Sequence, residues 1–162
     1  MNGIHKAIFL WGVICLLGYG VYHFALMDPN FPKPLPVWSA LTIIGVVAMI
    51  KWVPNWKKNN VVWVWFVVGV GGMLYHWAFA TNMLPAIIPS PWAYWALLHA
   101  IGFILTGYYW TNKNFWYGVG VVNALAFVAF FAFPSSIGMY SSALLAAVSG
   151  LPLMYNGYFS KL

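Results

Sequence analysis

The sequence predicts an all-α integral membrane protein, a bundle of six transmembrane helices, from its composition and from the spacing of its apolar runs. Of the 162 residues, 64% are hydrophobic and only 5% are charged, whereas about a quarter of the residues in a soluble domain are charged. The apolar runs approach the length of about 20 residues that a helix needs to cross the hydrocarbon core. Short proline-rich or polar breaks separate these runs, which is typical of a helical bundle in lipid.

The first run resembles a signal peptide at its start, because Lys6 precedes it. It is longer than an ordinary signal-peptide core, and Asp28 follows it instead of a small-residue cleavage site, so we interpret it as a transmembrane helix. We expect one transmembrane domain over residues 1–162. Its helices are predicted at about Ile4 to Met27, Val37 to Val53, Val61 to Leu84, Trp92 to Trp110, Phe115 to Phe133 and Tyr140 to Phe159.

Proline inside the last run predicts an irregular helix. Pro152 has no backbone N–H, so the carbonyl four residues earlier loses its hydrogen-bond donor. We therefore expect a kink near Val148, where neighbouring helices must satisfy the freed carbonyl.

The lysines predict how the bundle is oriented. Six spans place both termini on one side of the membrane, and of the seven basic residues only Lys33 falls on the other side. Because lysine is enriched in short cytoplasmic loops, we expect both termini to be cytoplasmic. The lysines on the predicted cytoplasmic side are Lys6, Lys51, Lys57, Lys58, Lys113 and Lys161.

Short internal matches suggest three tandem two-helix hairpins. The tetrapeptide from Tyr22 reads YHFA and the one from Tyr75 reads YHWA, 53 residues later. Each hairpin contains an even number of spans, so these repeats would be parallel. That arrangement differs from the inverted repeats that surround the binding site of many transporters.

Three histidines are predicted to lie at similar depth in the outer half of the membrane. At 1.5 Å per residue, His23, His76 and His99 fall roughly 7 to 12 Å below the outer boundary. If the third and fourth helices are neighbours, His76 and His99 could together ligate one haem b. With His23, and with Asp28 as a fourth ligand, they could instead form a copper or zinc site.

The same residues also have a structural interpretation, which we prefer. A membrane histidine can hydrogen-bond across a helix interface, and Asp28 precedes a proline, as turn residues often do. No CxxC, HExxH or carboxylate cluster accompanies the histidines. The absence of a cofactor is therefore the expectation, with haem b or copper as the alternatives. Asn123 and Asn156, the remaining polar residues considered within spans, are also interpreted as interhelical hydrogen-bonding groups.

The polar content argues against several classes of function. No acidic residue and no arginine lies within a predicted span, whereas ion and proton pathways usually contain intramembrane charge. No nucleophile and base pair, phosphate-binding loop or dinucleotide fingerprint is visible, and no lysine-rich run indicates nucleic acid binding.

We therefore predict a non-catalytic accessory subunit of a larger membrane complex of the respiratory or oxygenase type. Its expected partners are the lipid bilayer and other membrane subunits, and we expect no nucleic acid partner. The alternatives are a haem or copper redox protein that uses His76 and His99, and a channel or carrier for a small neutral solute.

Overall fold

The structure of this chain is a computed structural model that describes residues 2–28, 30, 33–83 and 90–159. The described residues form six long helices and no strand, which confirms the predicted helical membrane bundle. Their bounds are α1 Gly3–Met27, α2 Pro34–Trp52, α3 Asn60–Ala80, α4 Pro91–Tyr109, α5 Lys113–Ala132 and α6 Pro134–Phe159.

Five of the six helices, all except α4, are long and apolar enough to cross a membrane. Helix α4 has 19 residues, the same number as α2. Its sequence contains five tryptophan and tyrosine residues together with His99, and these side chains lower its mean hydropathy. A membrane crossing by α4 therefore stays a prediction.

Two helices begin three or more residues earlier than predicted, in both cases at a proline. Helix α2 begins at Pro34 instead of Val37, and α6 begins at Pro134 instead of Tyr140. Proline is well accommodated in the first turn of a helix, because the N–H that it lacks has no intrahelical partner there. The prolines in these segments start helices, whereas the sequence analysis assigned them to loops.

Helix α3 ends at Ala80, before the predicted end at Leu84, which lies outside the described residues. Asn82 adopts a left-handed backbone conformation with φ of 58°, and asparagine is one of the few residues that terminate helices in this way. The Thr81 hydroxyl donates to the carbonyl of Trp77 at 2.9 Å. The end of α3 is thus set by these polar residues, ahead of the proline that follows.

Helix α6 is irregular at the position predicted from Pro152. A π-helical turn covers Ala146–Gly150, with Val148 at its centre. In a π-helical turn a carbonyl bonds to the N–H five residues later, so the helix can continue past a proline that has no N–H. A second π-helical turn, Val67–Gly71 in α3, was not predicted.

The chain divides into two compact units, one formed by Met1–Asn59 with Ser142–Leu162 and the other by Asn60–Ser141. In the first unit α1 packs against α2 and against the C-terminal part of α6, and in the second α4 packs against α3 and α5. The first two predicted hairpins correspond to the contacts of α1 with α2 and of α3 with α4. The third hairpin and the single domain stay predictions.

Glycine brings the backbones of α1 and α6 into contact in the first unit. A Cβ atom on Gly12 would lie 2.8 Å from the carbonyl oxygen of Gly150, and one on Gly157 would lie 2.8 Å from the carbonyl oxygen of His5. The residue numbers run in opposite directions along the two helices, so α1 and α6 are antiparallel. The beginning of α1 and the end of α6 therefore lie at the same end of this unit.

Candidate functional site

The predicted histidines of the second unit lie where α3 packs against α4. The buried face of α4 carries small residues, including Ala93, Ala96 and Ala100, which allow neighbouring helices to approach closely. On α3, a Cβ atom on Gly72 would lie 2.7 Å from the Trp95 indole. Small residues on both helices thus leave room for large rings between them.

His76 is held by a hydrogen bond across the helix interface. The indole nitrogen Nε1 of Trp95 donates to Nδ1 of His76 at 3.0 Å. Since an indole N–H is a donor only, Nδ1 accepts the bond, and in the neutral imidazole the proton then lies on Nε2. This is the interhelical role that the structural interpretation predicted for a membrane histidine.

His99 lies on α4, one turn after Trp95, and aromatic rings surround its side chain. Its side chain is 3% exposed, and its ring centroid lies 6.1 Å from that of Trp65, 6.0 Å from that of Trp95 and 6.1 Å from that of Phe103. The indole of Trp95 therefore contacts both His76 and His99. The two histidines are brought to one place, as predicted, with an aromatic ring in contact with each.

A second polar contact, between Trp65 and Thr106, lies next to these rings towards the C-terminal end of α4. Trp65 Nε1 donates to the hydroxyl of Thr106 at 3.0 Å, and that hydroxyl donates to the carbonyl of Gly102 at 2.8 Å. Thr106 is completely buried, so these two bonds satisfy a donor and an acceptor that have no access to solvent. We call the set His76, Trp95, His99, Trp65 and Thr106 the histidine–tryptophan cluster.

Further aromatic rings extend the cluster in both directions along α4. Tyr75 and Tyr94 stack with centroids 4.5 Å apart, and the hydroxyl of Tyr94 donates to the carbonyl of Gly72 at 3.4 Å. At the other end Phe103 stacks on Trp116 at 5.8 Å. Aromatic contacts thus continue along much of the length of α4.

The geometry of the cluster bears on its capacity to bind a metal or haem. An imidazole ligates iron or copper through a nitrogen lone pair, and the Nδ1 lone pair of His76 accepts the Trp95 hydrogen bond. Ligation through Nε2 would require its proton to move, which would disrupt that bond. Binding of haem or copper by His76 and His99 stays a prediction, and the observed contacts are those of a packed polar interface.

The other two proposed ligands, His23 and Asp28, belong to the first unit. A carboxylate oxygen of Asp28 accepts a hydrogen bond from the backbone N–H of Asn30 at 2.9 Å, which is the Asx turn expected of this residue. Within neither unit do three or more His, Cys, Asp or Glu side chains among the described residues come close enough to hold a metal ion. The metal site that combines His23, Asp28, His76 and His99 stays a prediction.

The hydrogen bond between Trp65 and Thr106 and the burial of Ser142 and Ser149 on α6 were not predicted from the sequence. Thr106 and Trp65 are 41 residues apart, and no local pattern links them. On α6, Ser142, Ser149 and Asn156 are spaced by seven residues and each is at most 2% exposed. That spacing places residues on one helix face, and it was the signal that could have revealed this buried polar line.

Comparison with known proteins gives one informative similarity. No protein-family profile matches the chain, and no solved structure matches it. Over 133 residues, covering 76% of this chain and 68% of the relative, the sequence is 24% identical to NADH-ubiquinone oxidoreductase chain 6 of Latimeria chalumnae. The chain is therefore similar to a subunit of a respiratory enzyme.

Proposed function

We propose that this protein is a membrane subunit of a multisubunit respiratory oxidoreductase complex. The observation that carries the proposal is the similarity to NADH-ubiquinone oxidoreductase chain 6, which extends over 76% of this chain. The helical membrane architecture agrees with it, since five helices have the length and composition of membrane spans.

The proposed role is accessory, meaning that the chain supports assembly and contributes no reacting group. This role is supported by the contacts of the best candidate site, where Trp95 donates to His76 and aromatic rings surround His99. It is also supported by the composition, with a single acidic residue in the whole chain. The expected partners are lipid and other membrane subunits of the complex.

Deletion of the gene and complementation test the proposal. We expect membranes of the deletion strain to lose NADH-dependent quinone reduction and the assembled complex on a native gel, and the full chain to restore both. Complementation with His76→Ala should restore the same activity per assembled complex, because that residue packs and does not react. Unchanged activity in the deletion strain would refute the respiratory assignment, whereas assembled but inactive complex with His76→Ala would refute the accessory role.

The membrane topology is part of the proposal. Helices α1 and α6 are the first and the last of the six described helices, and they are antiparallel. If both cross the membrane, they cross it in opposite directions, so the number of crossings is even. Five helices are candidates to cross, so we infer that α4 crosses as well. The lysine distribution favours a cytoplasmic position for both termini. Of the predicted cytoplasmic lysines, Lys161 lies outside the described residues. Ile87 also lies outside them; the sequence predicts that its loop, between the third and fourth predicted helices, faces the outside.

Cysteine labelling with an impermeant maleimide tests this topology. Cys15 is buried and provides a low background. We expect Lys58→Cys and Lys113→Cys to react from the cytoplasmic side only, and Lys33→Cys and Asn82→Cys from the outside only. Labelling of the variants at Asn82 and Lys113 from the same side would show that α4 does not cross.

A further inference from the structure

The distribution of charge in the first unit leaves one of its ends without an acidic side chain. Asp28 is the only acidic residue in the chain, and it lies at the C-terminal end of α1. Lys6 lies in the first turns of the same helix, so at 1.5 Å per residue the two are about 33 Å apart along the helix axis. The one carboxylate side chain of this protein therefore lies at the opposite end of α1 from Lys6.

Packing brings two further parts of the chain to that end. Gly3, the first residue of α1, contacts the backbone carbonyl of Trp52, the last residue of α2, and lies near Pro54. Lys51, in the last turn of α2, is thus at the same end of the unit as Lys6. Both side chains are exposed.

The segment that follows α2 adds two more lysines in a defined turn. Asn55 adopts a left-handed conformation with φ of 50°, and a short 3₁₀ helix then covers Trp56–Lys58. Backbone hydrogen bonds from Lys58 to Asn55, at 2.8 Å, and from Asn59 to Trp56, at 3.1 Å, hold this turn. The side chains of Lys57 and Lys58 are exposed. We call Lys6, Lys51, Lys57 and Lys58 the basic rim.

We infer that the basic rim binds the phosphate headgroups of anionic lipids in the adjacent leaflet. Four exposed cations immediately beyond the helix ends have the composition that attracts anionic lipids, with each lysine contributing about 1 kcal/mol, or about fivefold in affinity. Trp52 and Trp56 lie beside the lysines, and Trp52 is 42% exposed. Tryptophan is the residue that anchors protein at the level of the headgroups.

An acidic partner subunit is the competing source of negative charge, and the residue types favour lipid. All seven basic residues of the chain are lysines. Protein interfaces are enriched in arginine and depleted in lysine, because the planar guanidinium makes paired hydrogen bonds to carboxylates. A lysine is a mobile point charge, which suits a headgroup that diffuses and exchanges.

The test measures lipid retention by the purified full-length protein, and it needs no partner subunit, so its outcome is independent of the proposed function. The protein is incubated with equal amounts of phosphatidylglycerol and phosphatidylcholine, and the retained lipids are counted by native mass spectrometry. We expect a preference for phosphatidylglycerol that weakens as salt is added, because salt screens exposed charges.

Variants assign that preference to the basic rim. We expect the double variant Lys57→Ala/Lys58→Ala to lower phosphatidylglycerol affinity about 25-fold, from about fivefold per lysine. Lys57→Arg/Lys58→Arg keeps the charge and should retain the lipid. Lys33→Ala, which removes one charge from the opposite end of the unit, should also retain it.

Three results would overturn the inference. The first is equal retention of the two lipids by the unchanged protein, a result that does not depend on any variant folding. The second is an unchanged preference in Lys57→Ala/Lys58→Ala, and the third is an equal loss in Lys33→Ala. Loss of a co-purified protein in the double variant, with lipid retention unchanged, would assign the lysines to an acidic partner instead.

Discussion

A single methyl group at Gly12 should destabilise the contact between α1 and α6. In Gly12→Ala the new Cβ atom would lie 2.6 Å from the backbone nitrogen and the Cγ atom of Met154 and 2.8 Å from the carbonyl oxygen of Gly150, whereas ordinary contacts begin at 3.4 Å. The shortfall is 0.6 to 0.8 Å, and two of the three opposing atoms belong to the backbone. No rotation of a side chain can relieve those two contacts, so the helices must separate.

The expected cost follows from that separation. Widening a packed contact by 0.5 to 1 Å forfeits about a quarter to a half of its dispersion energy, and overpacking of a core typically costs about 1–3 kcal/mol. We therefore expect Gly12→Ala to lower the free energy of unfolding by about 2 kcal/mol. The measurement is equilibrium unfolding in mixed micelles with increasing sodium dodecyl sulfate, followed by the loss of helical circular dichroism.

Gly20 provides the matched control on the same helix. A Cβ atom on Gly20 would meet nothing within 4 Å, and alanine has a higher helix propensity than glycine by up to about 1 kcal/mol. Gly20→Ala should be neutral or slightly stabilising. If the two variants unfolded at the same detergent fraction, close approach of α1 and α6 would not be what Gly12 provides, and the packing described for the first unit would be wrong.

Three further predictions concern the histidine–tryptophan cluster. Trp95→Phe keeps a ring but removes the donor to His76, and should lower the free energy of unfolding by about 0.5–1.5 kcal/mol in the same assay; a variant as stable as the original protein would show that this bond contributes nothing. Thr106→Val leaves the indole N–H of Trp65 without its acceptor and should lower the free energy of unfolding by about 1–3 kcal/mol. The control Thr81→Val, at the exposed end of α3, should lower it less. Equal losses in the two variants would contradict the proposed effect of burial. Because the Nδ1 of His76 is engaged, we expect the purified protein to show no haem absorbance and no stoichiometric iron or copper, and a stoichiometric signal that disappears in His76→Ala would establish the redox alternative.

The sequence was sufficient to predict the helical membrane fold, because that depends on composition and on the spacing of apolar runs. It also located the disruption of α6, since the missing N–H of Pro152 is a local property of one residue. The helix boundaries were less accurate where two signals competed. Pro34 and Pro134 can either end one element or begin the next, and Asn82 ends α3 before its predicted limit at Leu84.

The contacts between helices could not be predicted in the same way. Glycine occurs in most of the spans, and only the structure shows that Gly12 faces Gly150 while Gly20 faces open space. Depth counting along a predicted hairpin was enough to bring His76 and His99 to the same level. It could not show that Trp95 contacts both, because which face of α4 packs against α3 depends on side chains throughout the interface.

The central claim, that this chain is one subunit of a respiratory membrane complex, is tested most directly by the mass and composition of what it is bound to in native membranes. The tagged chain is extracted with a mild detergent, and the purified particle is examined by native mass spectrometry and by peptide identification. We expect a particle much larger than the 18.2 kDa chain, which contains other membrane subunits and oxidises NADH with a quinone. A stable particle that contains only this chain and lipid would contradict it.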